Sequence, residues 1–134
     1  MGNLSNFVKR IRDVMRNDAG INGDAQRIEQ IAWMLFLKVY DAKENDWVWD
    51  ESNYQSILPE PCRWRNWAHD ENGKGMTGDT LLEFVNNTLF PTLKKLPVDA
   101  STPIKKAIVQ TTFADANNYM KDGVLLRKVI NYID

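Results

Sequence analysis

Residues Arg27 to Asp41 read RIEQIAWMLFLKVYD, and this stretch decides the fold. Ile28, Ile31, Ala32, Leu35, Phe36, Val39 and Tyr40 recur at the three- and four-residue steps of one helix face. Trp33, Met34 and Leu37 fill the other faces, so the helix is apolar all round from Ile31 to Leu37. A helix without a polar stripe is predicted to be buried on nearly every side, because a surface helix keeps one. The unbroken apolar run is seven residues, far short of the roughly 20 that a bilayer span needs. The stretch therefore predicts a core helix over about residues 25–43, wrapped by other helices.

The chain of 134 residues suits one domain, large enough to bury a core without covalent staples. Apolar residues at 43%, charged residues at 26% and five tryptophans give a globular composition, not a disordered one. One cysteine, Cys62, excludes an internal disulfide and fits a reducing compartment. No basic start leads into an apolar signal segment, so the expected location is cytoplasmic, with no membrane partner. Seventeen Lys plus Arg against eighteen Asp plus Glu leave a net charge of −1. Stand-alone nucleic-acid binders carry a basic excess, because phosphate neutralisation dominates their affinity. Contact with nucleic acid is therefore expected only through a local patch or inside a larger assembly.

Upstream of the core helix, Leu4 to Arg16 predicts a first helix. Leu4, Phe7, Val8, Ile11, Val14 and Met15 share one sector, and Lys9, Arg12 and Arg16 fall opposite. That basic stripe reads either as a phosphate-facing surface or as an ordinary solvated face, and Asp13 among the cations favours the second. Asn17-Asp18-Ala19-Gly20 is a stop signal with Gly20 as a left-handed cap, and Asp24 is the expected N-cap of the core helix. Downstream, residues 45–58 carry Trp47, Trp49 and Tyr54 among acidic residues and predict a loop. Asp46, Asp50 and Glu51 lack the spacing and the turn glycine of a calcium loop.

After Pro59-Glu60-Pro61 comes Cys62-Arg63-Trp64-Arg65-Asn66-Trp67. Two Arg interleaved with two Trp can stack bases and hold phosphates. They can equally plug the edge of the core, with the Arg stems covering the rings. One Cys and one His, His69, cannot build a structural zinc site, and no serine or acid completes a nucleophilic triad. Residues 73–78, GKGMTG, match G-x-G-x-x-G in form only. The fingerprint works when a strand feeds the loop and a helix leaves it, and the preceding RWRNWAHDEN does not read as a strand. Gly75 stands where a Walker loop needs Ser or Thr. A flexible loop is expected.

Thr80 to Lys95 predicts a third main helix on Leu81, Leu82, Val85, Leu89 and Leu93. Thr80 and Glu83 have capping-box spacing, with Thr77 and Asp79 as competing caps. Pro91 should kink this helix or split it after Leu89. Ser101-Thr102-Pro103 opens a fourth helix, with Thr102 as N-cap and Ile104, Ala107 and Ile108 as its apolar face. Asp122 or Gly123 opens the last helix, on Leu125, Leu126, Val129, Ile130 and Ile133. No stop signal precedes Asp134, so the polypeptide is expected to continue in its native setting. No segment alternates with period two for more than four residues. The fold class is all-α, a bundle of about five main helices in a single domain.

Four blocks occur in order: IEQIAWMLFLKVYD (28–41), PCRWRNWA (61–68), GDTLLEFVNNTLFPTLKKL (78–96) and NYMKDGVLLRKVINYID (118–134). Together they resemble the N-terminal helical domain of the modification (methyltransferase, HsdM-type) subunit of type I restriction–modification systems. The Phe90-Pro91 break and Met120-Lys121-Asp122-Gly123 make the resemblance specific. It implies that the intact subunit is a DNA adenine N6-methyltransferase using S-adenosylmethionine. It further implies work with a specificity subunit, a restriction subunit and a second copy of the modification subunit. In that family the chemistry sits in a C-terminal Rossmann-like domain with an Asn-Pro-Pro-Phe/Tyr motif for the flipped adenine. This sequence has no Asn-Pro-Pro, so the resemblance carries no catalytic or cofactor residue onto it, and the chain alone is expected to be inactive.

The resemblance implies that the domain helps the complex close around DNA and meet neighbouring subunits. Candidate DNA-contacting residues are Arg63, Arg65 and Lys74, with Lys94, Lys95, Lys105 and Lys106 behind them. Two other readings use the same residues: a free-standing helical protein–protein interaction module, and a nucleotide-binding enzyme built on GKGMTG.

Overall fold

Helical periodicity with no period-two segment leaves helix-on-helix packing as the way to bury the apolar residues. The computed structural model describes residues 2–134, apart from the side chains of residues 2–4 and 72, and has no strand among the described residues. The helices are α1 (Gly2–Met15), α2 (Gly23–Asp50), α3 (Trp64–Trp67), α4 (Gly78–Phe84), α5 (Phe90–Lys94), α6 (Ile104–Ala114) and α7 (Gly123–Ile133). Val85–Leu89 is π-helical and joins α4 to α5, so residues 78–94 form one continuous rod. Counting that rod once and setting aside the single turn of α3, the bundle has the five main helices expected. In it α4 and α1 pack on α7, α5 packs on α6, and α2 packs on α3 and α7.

α1 and α7 behave as their periodicity predicts. Ile11 and Met15 of α1 and Leu126, Val129, Ile130 and Ile133 of α7 are buried. The expected place of Leu4 on the inward face lies outside the described side chains. Asp122 caps α7, its Oδ1 accepting from the N–H groups of Val124 and Leu125 at 2.9 and 3.1 Å.

The rod does not split at Pro91. Proline lacks the N–H of the normal ladder and crowds the carbonyl four residues earlier, and a π-turn directly before it provides the extra room. The chain stays helical through Phe90 and Pro91.

α2 departs from expectation in length and in facing. It runs to Asp50, about two turns into the stretch expected to be loop. Trp47 holds this extension down, its ring 5.5 Å from that of Tyr40 and 5.7 Å from that of Tyr54. Asn22, not Asp24, is the N-cap residue; Asp24 sits in the first turn, and the Gln26 side chain reaches back to the Asn22 N–H at 2.7 Å. Nor is α2 buried all round. Its inward side is Gln30, Trp33, Met34, Leu37, Tyr40, Asp41 and Glu44, whereas Ile28 is 67% exposed and Val39 53%. Gln30, Asp41 and Glu44 each have a partner, whereas the indole N–H of Trp33 has none among the described residues. Gln30 donates to Asn118 and accepts from the Tyr119 N–H, Asp41 takes Arg65, and Glu44 takes the Tyr54 hydroxyl at 2.6 Å.

Trp33 is the hub of the core. Its ring stacks on Trp67 at 6.5 Å and meets Phe90 and Phe113 edge-on at 4.9 and 6.3 Å. Phe113 and Val109 are the buried residues of α6, not the expected face: Ile104 is 85% exposed and Ile108 43%. α6 starts after Pro103, and Thr102 instead closes a turn with Asp99. Gly20 carries no positive φ and so is not a left-handed cap. It is needed for close approach, since a Cβ there would lie 2.0 Å from the Tyr119 carbonyl oxygen. Asp18 completes that junction by accepting from the N–H groups of Gly20, Lys121 and Asp122.

Candidate nucleic-acid interface

A surface that binds phosphate needs cations free to leave their own chain, so the partners of each Lys and Arg decide what it can do. Arg65 is engaged. Its Nε donates to Asp41 Oδ1 at 2.9 Å, and its Nη2 donates to the Asp41 carbonyl at 3.2 Å and to Asn45 at 2.8 Å, which fastens α3 to α2. Arg63 is half-buried, with Nε 3.4 Å from the Leu58 carbonyl. Lys94 caps the end of α6 by donating to the carbonyls of Ala114 and Ala116 at 3.3 and 2.9 Å. Lys105 pairs with Glu51 at 2.7 Å and lies over the Trp47 and Tyr54 rings, and Lys106 lies 5.2 Å from the Tyr54 centroid. Lys74 and Lys95 are exposed and have no partner among the described residues. Arg63, Arg65, Lys105 and Lys106 gather around Tyr54 and its acidic neighbours, while Lys74 and the pair Lys94–Lys95 lie elsewhere. The seven candidates do not form one surface.

The Arg-Trp segment packs. Trp64 and Trp67 are buried and meet edge-on at 5.2 Å. The indole N–H of Trp64 donates to Asp134 Oδ1 at 2.8 Å and that of Trp67 to the Cys62 carbonyl at 3.2 Å. Neither ring is free to stack on a base. Burial also pushes the Cys62 thiol up, away from reactive thiolate.

The glycine loop is filled from inside the protein. Arg127 of α7 is buried; it donates to the carbonyls of Met76, at 3.1 Å, and Ala68, and to Asn131 Oδ1 at 3.1 Å. Asp70 accepts from the Gly75 N–H at 2.8 Å, and a Cβ on Gly75 would lie 2.6 Å from Arg127 Nη1. The Gly75 hydrogen bond, ahead of Asn131 and the charge of Arg127, holds the Asp70 carboxyl below its ordinary value. Gly73 and Gly78 have φ of 73° and 60°, the left-handed region that favours glycine. Gly78 also lies against Gly123, where a Cβ would sit 1.9 Å from the Gly78 carbonyl oxygen. The spacing thus serves a turn and a backbone contact, and Arg127 packs against the loop from the inside. On its outer side the loop, through Lys74, Gly75 and Met76, lines a cavity of about 440 Å³ together with Asn66, Trp67, His69 and Glu71. Among the described residues no group of three or more His, Cys, Asp or Glu could hold a metal ion.

α1 presents the strongest basic surface. Lys9, Arg10, Arg12 and Arg16 are all exposed, and among the described residues only Arg16 has an acidic partner, Asp13 at 3.7 Å. Arg27 of α2 joins them across a cleft of about 210 Å³ lined by Val8, Arg12, Asp24, Arg27, Ile28 and Ile31. Asp24 lies beside Arg27, within reach of the charges of Arg12 and Arg16. Its carboxyl is held below the ordinary 3.8, first by the Arg27 hydrogen bond and charge and then by the charges of Arg12 and Arg16. Lys9, Arg12 and Arg16 were visible in the sequence as a stripe but read there as a solvated face, and Arg10 was not counted with them. Arg27 was missed, because only the packing of α1 against α2 brings it there.

Comparison with known proteins agrees with this architecture. The family model described as the HsdM N-terminal domain matches residues 4–133. The methylase subunit of the type I restriction enzyme EcoEI from Escherichia coli is 47% identical over 131 residues, covering 98% of this chain and 26% of that protein. A modification subunit assigned to a type I restriction enzyme of Vibrio vulnificus YJ016 superposes with a TM-score of 0.84 at 34% identity, covering 97% of this chain and 30% of that one. A chain from a structure addressing complex assembly and conformational transition of the type I R-M system gives 0.80 at 32%, covering 98% and 25%. This chain therefore spans between a quarter and a third of the length of these relatives. Matched over residues 4–133, the chain belongs to the HsdM N-terminal domain family.

Proposed function

We propose that this domain is the DNA-engaging and assembly-supporting part of a type I modification subunit whose catalytic Rossmann-like domain lies beyond residue 134. The reaction of that intact subunit would be adenine N6 methylation of DNA with S-adenosylmethionine, bound outside this chain. Its partners would be DNA, the specificity and restriction subunits and a second modification subunit, in the cytoplasm. The observation that carries the DNA reading is the cation group Lys9, Arg10, Arg12 and Arg16, exposed on α1, with the partly buried Arg27 of α2 beside it; together they outnumber the local acids Asp13 and Asp24. Lys74 and Lys95 are further free contacts. Arg63, Arg65, Lys94, Lys105 and Lys106 would have to exchange an internal partner for a phosphate.

A near-neutral domain has little affinity for DNA alone, but tethered beside a bound duplex it acts at high effective concentration. A few phosphate contacts then matter. The test is to co-purify the full-length subunit with its specificity partner and compare DNA binding and methylation with and without residues 1–134. Weaker binding without them is expected. Equal binding and equal methylation rates would remove the DNA-engaging role.

A further inference from the structure

A buried carboxylate is expensive unless a cation or several hydrogen bonds hold it. Glu44 of α2 is 4% exposed, and its partner is a neutral phenol, Tyr54, on Oε2. Among the described residues no Lys, Arg or His pairs with it: Arg65 is taken by Asp41 and Lys105 by Glu51. Both neighbouring phenols respond, for burial and after it Glu44 push Tyr54 up, and push Tyr40 up to about 12. Glu44 Oε1 has no partner among the described residues and is not sealed in the core. It opens into a cavity of about 460 Å³ that Glu44 lines with Val48, Tyr54, Ser56, Arg63 and Arg65.

Across the cavity, each arginine is fixed from one edge. Arg63 donates through Nε to the Leu58 carbonyl, and Arg65 commits Nε and Nη2 to Asp41 and Asn45. Both terminal nitrogens of Arg63 and Nη1 of Arg65 have no partner among the described residues. A duplex phosphate would have to displace the internal partners, whereas a small anion inside the cavity can use the nitrogens they leave over. The Ser56 oxygen accepts from the Leu58 N–H at 3.0 Å, so its hydroxyl proton is left to donate. A buried acceptor for a cation and held donors for an anion thus line one space without pairing with each other. We infer that this cavity binds an amino-acid zwitterion, its carboxylate on the terminal nitrogens of Arg63 and Arg65, its ammonium on Glu44 Oε1 and its side chain along Val48 and Tyr54. Guanidinium forks match the geometry of a carboxylate. The ammonium gives Glu44 the charge partner that the fold withholds. Phosphate meets only half of the site, because its second charge would lie beside Glu44, and a simple amine meets only the other half.

The test is a thermal-shift panel of the common L-amino acids, each at about 10 mM, on the 134-residue chain, followed by titration calorimetry of the strongest. A ligand of about ten heavy atoms should bind with a Kd on the order of 0.1–1 mM. At that concentration it should raise Tm by about 4–8 °C. The N-acetyl and amide derivatives of the best ligand, each lacking one charge, should bind about tenfold more weakly, and inorganic phosphate should give no shift. Glu44→Gln keeps an acceptor for the Tyr54 hydroxyl. It should hold the unliganded Tm at or above that of the wild type, weaken the amino acid about tenfold and leave the N-acetyl derivative unaffected. Arg63→Gln, which gives up one long hydrogen bond, should weaken both ligands alike. A panel in which no amino acid shifts Tm would overturn the site. Binding that survives Glu44→Gln undiminished would overturn the ammonium contact, and binding that phosphate matches would overturn the zwitterion in favour of a plain anion. An unliganded Tm that falls in Glu44→Gln would overturn the reading of Glu44 as a charge left open by the fold. None of these readouts involves DNA, so the inference and the proposed function fail separately.

Discussion

Arg127 is a single side chain that organises a whole loop. Its donors reach the carbonyls of Ala68 and Met76 and the amide of Asn131, and Asp70 lies close by. Truncation would leave two inward-pointing carbonyls unpaired as well as a void, so Arg127→Ala is expected to cost about 2–3 kcal/mol in chemical denaturation. Arg127→Lys should recover only a small part, because one ammonium cannot fan donors to three directions. Asp134 plays a comparable part at the other end of α7. Its carboxylate accepts from Trp64 Nε1 and Lys38 Nζ at 2.8 and 3.3 Å, and its second oxygen lies 3.0 Å from His69 Nδ1. Desolvation pushes its pKa up, but the hydrogen bonds from His69, Trp64 and Lys38 outweigh that and leave it below the ordinary 3.8. A carboxyl lowered on folding stabilises above its unfolded value, and that contribution is lost as pH falls through the folded value. Thermal melts should therefore lose Tm below about pH 4, and Asp134→Asn should lower Tm at pH 7 while flattening that acid limb. Equal acid limbs in the two proteins would show that the other lowered carboxylates, Asp24, Asp70 and Asp99, carry the effect.

Between elements, the closest approach is that of Gly78 and Gly123, where α4 and α7 begin side by side. Gly123→Ala must push the backbones apart, and a cost of about 3 kcal/mol or more is expected, read as a lower urea midpoint. Gly73→Ala, strained by φ but open around its Cβ, should cost about 1 kcal/mol, so the pair separates crowding from conformation. The same contrast explains which parts of the fold the sequence displayed. α1 and α7 were legible because each keeps a polar side, and periodicity then has only one answer. α2 was not, because Trp33, Met34, Leu37, Ile28, Leu35 and Val39 are apolar in every direction. The side that faces the core is chosen by partners far away in sequence, Asn118 and Tyr119 for Gln30 and Arg65 for Asp41. α6 fails for a related reason: Ile104 and Ile108 are as apolar as Val109 and Phe113, but only the latter reach the ring of Trp33 or its neighbours. The basic stripe of α1 was readable as a pattern. That Arg65 would be tied to Asp41, or that Arg27 would join Arg12 and Arg16, depended on contacts between helices that spacing does not encode.

At the scale of the whole molecule, a net charge of −1 hides an uneven distribution. Four cations crowd the outward side of α1, while Asp46, Asp50 and Glu51 collect at the far end of α2. A duplex approaching α1 meets a positive surface even though the protein as a whole is nearly neutral, and the attraction is confined within about 8–10 Å at physiological salt. Each phosphate neutralised contributes about 0.9 to the slope of log K against log salt. With four contacts from Lys9, Arg10, Arg12 and Arg16, affinity for a non-specific duplex should fall about 100-fold between about 50 and 200 mM salt. Replacing Arg12 and Arg16 by Ala should reduce the slope by about 2 and weaken binding equally for every sequence, because phosphate contacts do not read bases. Both side chains are exposed, so circular dichroism and Tm should not change. The measurement is a salt titration by fluorescence anisotropy, made on the assembled subunit so that tethering brings the contacts into range. An unchanged slope would move the interface off α1 and onto Lys74 or Lys95, which the same titration on Lys74→Ala and Lys95→Ala would then resolve.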